Sequence, residues 1–292
     1  MGQDFDPGPV DEPFATLARE FPGAEAYPPT DFRVEWGPIF HRGRLDGSAA
    51  VVVIGQDPGQ HESIGRRILI GEAGQRVQGF MRKLGIERSY TMVNAYLYSV
   101  YGQQAGERHA DDETIMAYRH RWLDALLAGS QVEAVITFGH LGRGAFERWR
   151  ATPKGQQAEV AFEHLTHPTM PEASSKGDES KRAAAMKQML SEWNAALERL
   201  ASQLTRPDVE RELVPYGEDL VAGDRAAIPA GDMPAGTPPW MRSVDQWAER
   251  RAIGEGLSQA ETTEAKRATI VVTVPKAQRP WQHPANQPTP PP

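Results

Sequence analysis

The sequence predicts an α/β protein, a three-layer α/β/α sandwich around a central sheet of four mainly parallel strands. Short apolar segments rich in β-branched residues alternate along the chain with longer segments in which apolar residues recur at helical spacing. Such alternation requires crossover helices between strands, and these helices cover both faces of a parallel sheet.

Four segments have the composition of buried strands, and each is followed by glycine or polar residues. They are 49–54, 90–93, 132–138 and 160–165. Helical spacing places Val77, Phe80, Met81 and Leu84 on one face of a predicted helix. Another predicted helix begins with three acidic residues, which favour a helix N-terminus. The predicted helices are 14–21, 73–84, 111–127, 141–149 and 181–204.

Composition divides the chain into four parts. Residues 1–30 form an amino-terminal extension rich in proline, glycine and acids, and 31–205 form the α/β domain. Beyond it, 206–278 are predicted to be an extension that packs on the core, with a helix at 242–252 and a strand at 269–274. The last residues, 279–292, are predicted to be a disordered, proline-rich tail.

The charge and cysteine counts exclude several kinds of protein. With 32 basic and 39 acidic side chains the net charge is −7, so any DNA binding must depend on a local patch. There is no cysteine, which excludes disulfides, thiol nucleophiles and cysteine-ligated zinc or iron–sulfur sites. No apolar run of about 20 residues and no signal peptide are evident, so we expect a cytoplasmic protein without a membrane partner.

Ligands of such sheets bind beyond the carboxyl ends of the strands, so the segments that follow the strands are the candidate sites. The first is GQDPG at 55–59, whose glycines allow close backbone approach and whose Asp57 places a carboxylate at the cleft. An ordinary turn capped by Asp57 is the alternative. At the end of the second strand, Asn94 has the donors and acceptor to read a pyrimidine edge, or is simply a turn residue.

The segment HLTHPTMPEASS at 164–175 follows the last strand. His167 can donate a hydrogen bond to a developing anion, and Met170 lies in a stiff loop from which it can wedge into a base stack. A surface histidine and a core methionine are the alternatives. The segment 137–149 indicates a packing turn, with His140 and Arg143 as weaker candidates for phosphate contact.

Taken in this order, the segments resemble the uracil-DNA glycosylase superfamily over 32–204. GQDPG resembles its water-activating motif, VNAYLYSV the strand carrying its base-reading Asn, and HPTMPEASS its intercalation loop. GEAGQRVQGFMRKLG and VITFGHLGRGAF resemble segments of the family-4 type. Three departures are evident: the iron–sulfur cysteines are absent, Gly59 stands where family 1 has a tyrosine, and Leu69 stands near the place of the stacking aromatic. The last two indicate a roomier pocket.

The resemblance implies a monofunctional DNA glycosylase that flips an altered pyrimidine out of the duplex and hydrolyses its glycosidic bond. Asp57 would stabilise the oxocarbenium ion and orient the water, and His167 would stabilise the leaving anion. The base would be bound by Gln56 and Asn94 in a pocket shaped by Gly59 and Leu69. The residues expected to contact DNA are Met170 and Pro168 of the intercalation loop, Ser174 and Ser175, and Arg66 and Arg67, with Arg76, Arg82 and Lys83 adding positive potential.

The resemblance implies no metal or organic cofactor, and it implies a monomer that works on DNA at the nucleoid. The substrate stays open between uracil, which means repair, and a C5-modified cytosine such as that of hydroxymethylated or glucosylated phage DNA, which means defence. Two alternatives are a non-catalytic DNA-binding module and a covalent trap through His109. In the carboxy-terminal extension, Trp240, Met241 and Trp247 are candidates to dock where relatives hold the cluster.

Overall fold

A five-stranded sheet forms the centre of the protein in the computed structural model, which describes residues 5–127, 131–244 and 246–279. The strands are β1 (Arg42–Gly43), β2 (Val51–Gly55), β3 (Tyr90–Asn94), β4 (Ala134–Phe138) and β5 (Ala161–Leu165). Their order across the sheet is β1-β3-β2-β4-β5, and all neighbours are parallel except β1, which pairs antiparallel with β3. The four predicted strands are confirmed. β1 adds a fifth, and its two residues are too few to show a periodicity.

The five predicted helices are present with ends shifted by a few residues. In chain order the helices of the domain and its amino-terminal extension are α1 (Phe14–Arg19), α2 (Gln60–Gly65), α3 (Glu72–Lys83), α4 (Gln103–Arg108), α5 (Glu113–Leu127), α6 (His140–Arg150), α7 (Met170–Ser175) and α8 (Glu179–Gln203). The sequence did not predict α2, α4 and α7, which have six residues each and too few turns for an apolar stripe.

Alternating side chains of β2 build a core on each face of the sheet. Val51 and Val53 belong to one apolar cluster with residues of α3 and α8. Val52 and Ile54 belong to the other cluster with residues of α5 and α6. Because β2 lies between β3 and β4 with helices on both sides, all five of its residues are buried. This arrangement confirms the predicted three-layer sandwich. It also places the carboxyl ends of the parallel strands together at one edge of the sheet.

The carboxy-terminal residues 207–279 lie against the domain with little regular structure. The Asp208 carboxylate accepts hydrogen bonds from the backbone N–H groups of 87–89, and the Asp232 carboxylate accepts one from Tyr90. The regular elements here are α9 (Trp240–Ser243), β6 (Ala248–Arg250), α10 (Gln259–Ala268) and β7 (Ile270–Val272). The helix predicted at 242–252 is wrong, because β6 pairs with β7 and this tertiary pairing overrides the helical spacing of the apolar residues.

Most of the predicted disordered tail, residues 280–292, lies outside the described residues. No helix in the described part of the chain is long and apolar enough to cross a membrane. Over the same residues, no three His, Asp or Glu side chains are grouped so that they could hold a metal ion.

Candidate active site

One cavity of about 290 Å³ lies at the carboxyl ends of the central strands. Parallel β2 and β3 end side by side, with Gly55 opposite Asn94, so the loops that follow them converge. Six of the predicted site residues line the cavity: Gln56, Asp57, Gly59, Leu69, Asn94 and His167. These residues span more than 100 positions of the sequence, and the sheet topology brings them together.

The Asp57 carboxylate is held in a poorly hydrated position in this cavity. Its Oδ2 atom accepts a hydrogen bond from the Val100 backbone N–H over 3.0 Å. Burial raises the pKa of Asp57 to about 6, against the opposing effects of that hydrogen bond and of the Arg250 charge. Asp57 is therefore ionised at neutral pH and only weakly solvated, which suits a carboxylate that stabilises a cation and orients water.

The His167 imidazole is neutral and in a defined tautomer. Its Nδ1 atom accepts a hydrogen bond from the Thr169 backbone N–H over 3.3 Å and lies 3.2 Å from the Thr169 hydroxyl oxygen. Burial lowers the pKa of His167 to about 4, so the ring is uncharged at neutral pH. A neutral imidazole that accepts at Nδ1 donates at Nε2, so His167 offers one N–H for an anion.

Asn94 and Leu69 give the cavity a polar and an apolar lining residue, respectively. A Cβ atom on Gly55 would lie 2.3 Å from Asn94 Oδ1, so the amide occupies space that only glycine leaves open. Asn94 is buried, yet no hydrogen-bond partner of its amide is found in the ranges 5–127, 131–244 and 246–279. Leu69 adopts a left-handed backbone with φ of 54°, a strained conformation for a leucine. An amide that lines the cavity beside an apolar surface is suited to bind a planar polar ring.

Glu62, which the sequence analysis did not assign, fastens the loops around the cavity. Its carboxylate accepts hydrogen bonds from the backbone N–H groups of Gly59 at 2.9 Å, Ile70 at 2.8 Å and Gly71 at 3.3 Å. A Cβ atom on Gly59 would lie 2.8 Å from the same carboxylate, so Gly59 also has a structural reason to be glycine. The signal that could have found Glu62 is its place as the third residue of α2, where a glutamate carboxylate can accept from the backbone N–H of the residue before the helix.

The amide of Gln56 is partly used by the protein. Its Oε1 atom accepts from the Leu141 N–H at 3.3 Å, at the start of α6, and its backbone oxygen accepts from Tyr96 at 3.0 Å. A contact between Gln56 and a base therefore falls to its remaining N–H groups.

Two residues of the predicted intercalation loop, His167 and Thr169, line the cavity, whereas its proposed DNA-contacting residues do not. Met170 begins α7 and is partly exposed. Pro168 is buried and its carbonyl oxygen accepts a hydrogen bond from Arg76. Ser174 is exposed, whereas Ser175 is buried and donates to the backbone.

The five basic residues expected to give positive potential do not line the cavity. Their contacts with protein groups are Arg66 with the Trp36 and Pro38 carbonyls, Arg67 with Asp6, Arg76 with Glu72 and Glu172, Arg82 with the Gly223 carbonyl, and Lys83 with Asp224. Arg250 of β6 brings a positive charge to the cavity instead, and Gln246 lines it as well. No local pattern marks these two residues, because they lie about 150 positions or more along the chain from the Asp57 and Asn94 segments.

His109, the candidate for a covalent trap, is placed elsewhere. Its Nε2 atom lies 2.8 Å from Asp31 Oδ2, and its ring packs against Phe32. It does not line the cavity.

Fold and site together define an α/β/α protein with a carboxylate, a neutral imidazole and a side-chain amide around one pocket. This arrangement is suited to hydrolysis next to a planar heterocycle. The model of the uracil DNA glycosylase superfamily matches residues 42–198, more than half of the chain. The chain belongs to this superfamily. Membership indicates a DNA glycosylase, a hydrolase that acts on DNA. No curated protein matches the chain in sequence.

Proposed function

We propose that the protein is a monofunctional DNA glycosylase that removes an altered pyrimidine and leaves an abasic site. The observation that supports this most directly is the convergence of Asp57, Asn94 and His167 on one cavity. A base inside a duplex cannot reach such a cavity, so the nucleotide must be flipped out. Met170 is proposed as the wedge that fills the space left in the stack.

In the proposed reaction the Asn94 amide holds the edge of the flipped base. As the glycosidic bond breaks, C1′ gains positive charge and the base gains negative charge. The ionised Asp57 stabilises the cation and orients the attacking water, and the Nε2–H of His167 donates to the anionic base. Asp57 and His167 both have the protonation state that this step needs near neutral pH, because their pKa values are about 6 and 4.

Two substrates are compatible with this mechanism. Uracil is one, and a C5-modified cytosine such as the hydroxymethylated or glucosylated base of phage DNA is the other. An aliphatic Leu69 in place of a flat aromatic, together with Gly59, favours a pocket with room beyond the pyrimidine ring. The contact between Gly59 and Glu62 weakens that argument, since it gives the glycine a second purpose.

A two-substrate assay tests the proposal. One DNA carries a single uracil and the other is phage DNA with glucosylated hydroxymethylcytosine, and products are detected as alkali-sensitive breaks. We expect breaks in one of the two DNAs and a loss of about 10²- to 10⁴-fold in the Asp57→Ala variant. Breaks in the uracil DNA alone make the protein a repair enzyme, and breaks in the phage DNA alone make it a defence enzyme.

The non-catalytic alternative has its own outcome in this assay. Tight binding to both DNAs without breaks in either would indicate that the protein is a non-catalytic DNA-binding module. A protein–DNA adduct that survives denaturant would indicate a covalent trap, although His109 is not placed at the cavity.

A further inference from the structure

Two arginine side chains lie over the ring of Tyr101, and a third, Arg250, lies near enough for its charge to act on that ring and lines the cavity. The guanidinium carbon of Arg33 lies 4.5 Å from the centroid of the Tyr101 ring, and that of Arg267 lies 5.0 Å from it. Arg250 is close enough for its charge to act on Arg33, whose pKa is lowered to about 10 by burial first and by Arg250 second. We call Arg33, Arg250 and Arg267 the arginine cluster.

A single short segment connects the arginine cluster to Asp57. The Ser99 hydroxyl accepts a hydrogen bond from Arg250, and the Ser99 carbonyl accepts one from the Arg33 backbone N–H. The N–H of the next residue donates to Asp57, and the residue after that is Tyr101. Ser99, Val100 and Tyr101 are consecutive residues, so one short stretch of backbone carries both the N–H that binds Asp57 and the groups that the arginine cluster contacts.

Two members of the arginine cluster, Arg33 and Arg250, have no direct carboxylate partner among the described residues, although the Asp57 charge acts on Arg250 from a greater distance. In the described ranges, neither Arg33 nor Arg250 forms an ion pair within 4.0 Å, and the Nε atoms of both are buried without a hydrogen-bond partner. Arg33 is only 3% exposed. Arg267 has Glu264 at 3.8 Å, and these two side chains are 45% and 74% exposed. The Arg33 and Arg250 guanidinium groups each have one hydrogen bond to the protein, Arg33 to the Lys266 carbonyl and Arg250 to the Ser99 hydroxyl, and each keeps at least one buried N–H unpaired. Buried donors left unpaired are costly, and an anion that accepts from them would remove that cost.

We propose that the arginine cluster binds a phosphodiester group of the DNA strand next to the flipped nucleotide. This inference rests on the proposed glycosylase function. The planar guanidinium fork matches the geometry of phosphate oxygens. All three arginines lie outside residues 42–198, so this phosphate site is an addition to the superfamily domain. The carboxy-terminal segment, which supplies Arg250 and Arg267, thereby completes the substrate site.

Salt dependence of DNA binding tests the inference without requiring the target base to be known. The probe is a duplex containing a tetrahydrofuran abasic analogue. For the Arg250→Gln variant we expect affinity to fall about tenfold and the slope of log K against log salt to fall by about 0.9, the value for one phosphate. The Arg250→Lys variant keeps the charge and should recover most of the slope.

Arg251→Gln is the matched control, because Arg251 is the next residue, is exposed and pairs with Glu249. It should leave both affinity and slope unchanged. Should Arg250→Gln unfold, Arg267→Gln replaces it, since Arg267 is half exposed and its loss spares the core.

Methylphosphonate linkages locate the phosphate. One neutral linkage beside the abasic analogue should weaken wild-type binding about tenfold and have little effect on Arg250→Gln. If wild type binds the duplex but Arg250→Gln keeps the full slope and every linkage affects both proteins equally, the inference is overturned and the proposed function stands. If wild type fails to prefer the abasic duplex over intact DNA and also cuts neither substrate above, both fall.

Discussion

Asp57 illustrates how a residue obtains its chemistry from its surroundings. The same carboxylate in water would titrate near 3.8, whereas burial in the cavity raises its pKa to about 6. Burial leaves the ionised carboxylate weakly hydrated, which favours its interaction with a cation. The same burial lowers the free energy of unfolding when Asp57 is ionised. Two predictions follow from this balance, one on rate and one on stability.

The rate of base removal is expected to follow the ionisation of Asp57. Below about pH 6 the rate should fall roughly tenfold per pH unit, because the protonated acid cannot stabilise a cation. It should level off above that pH, and His167 adds no further change because its pKa is about 4. In Arg250→Gln the acid limb should move to higher pH, because the Arg250 charge lowers the pKa of Asp57. Single-turnover rates from pH 5 to 8 measure this, and a flat profile would contradict it.

The Asp57→Asn variant is expected to be more stable than wild type at neutral pH. The folded-state pKa of about 6 lies above the usual 3.8, so ionising Asp57 costs stability fully above pH 6 and not at all below pH 4. Asparagine is never charged and can still accept the Val100 N–H. We expect a gain of about 1 to 3 kcal/mol at pH 8 that vanishes at pH 4, measured by urea unfolding. Equal stability of the two proteins at pH 8 would refute the assigned burial cost.

His167 is expected to act only when charge develops on the leaving base. His167→Ala should lower kcat by about 10²- to 10³-fold with little change in KM. The reason is that the hydrogen bond from the His167 N–H to the base becomes strong only in the transition state, when the base gains negative charge. Thr169→Val, which removes the hydroxyl but keeps the N–H bond to Nδ1, serves as a milder companion and should lose far less. A large increase in KM for His167→Ala would instead assign it to ground-state binding.

At the scale of elements, the cavity depends on how two loops are joined. The loop after β2 carries Asp57 and Gly59, and the segment before α3 carries Leu69 with its strained backbone. Glu62 joins them by three N–H contacts from a single buried carboxylate. The strand ends could be predicted from composition, but this junction could not, since it depends on contacts between residues of three short segments.

Replacing Glu62 by glutamine should weaken the hydrogen bonds that hold both the loop after β2 and the segment before α3. An amide offers one acceptor oxygen where the carboxylate offers two, and its NH₂ group would face backbone donors. We expect Glu62→Gln to lose about 1 to 3 kcal/mol of unfolding free energy and to lower glycosylase activity as the loops separate. Glu249→Gln, at an exposed position of β6, is the control and should change neither quantity. Unfolding in urea and single-turnover kinetics on both variants give the answer.

At the scale of the whole molecule, the carboxy-terminal segment packs against the domain through buried apolar side chains. Trp240 and Trp247 are buried in an apolar cluster with Ile70, and the backbone N–H of Ala248 donates to His61 over 3.3 Å. The His61 ring in turn packs edge-on against Trp247 at 4.9 Å. These contacts place β6, and with it Arg250, at the cavity.

Loss of Trp247 should therefore unfold more than its own segment. For Trp247→Ala we expect a loss of about 3 to 5 kcal/mol and reduced DNA affinity, because the large cavity created cannot be refilled locally. Ile253→Ala is the matched control, since Ile253 is 67% exposed and should change stability little. One cooperative urea transition in wild type would show that the segment and the domain unfold together, and two separate transitions would contradict this.

The sequence by itself determined the layers of the fold, because strand composition and helical spacing are local properties. It also marked Asp57, Asn94 and His167 as candidates, because they follow strand ends in the order of a known superfamily, and the structure places all three at one cavity. Only the tertiary structure decided which charges reach the cavity. Arg66 and Arg67 lie close to the site in sequence but bind protein carbonyls and Asp6, whereas Arg250 is remote in sequence and lines the cavity. Where an arginine charge lies depends on the carbonyl and carboxylate groups that folding brings next to it. The local sequence around the arginine does not indicate which groups those are.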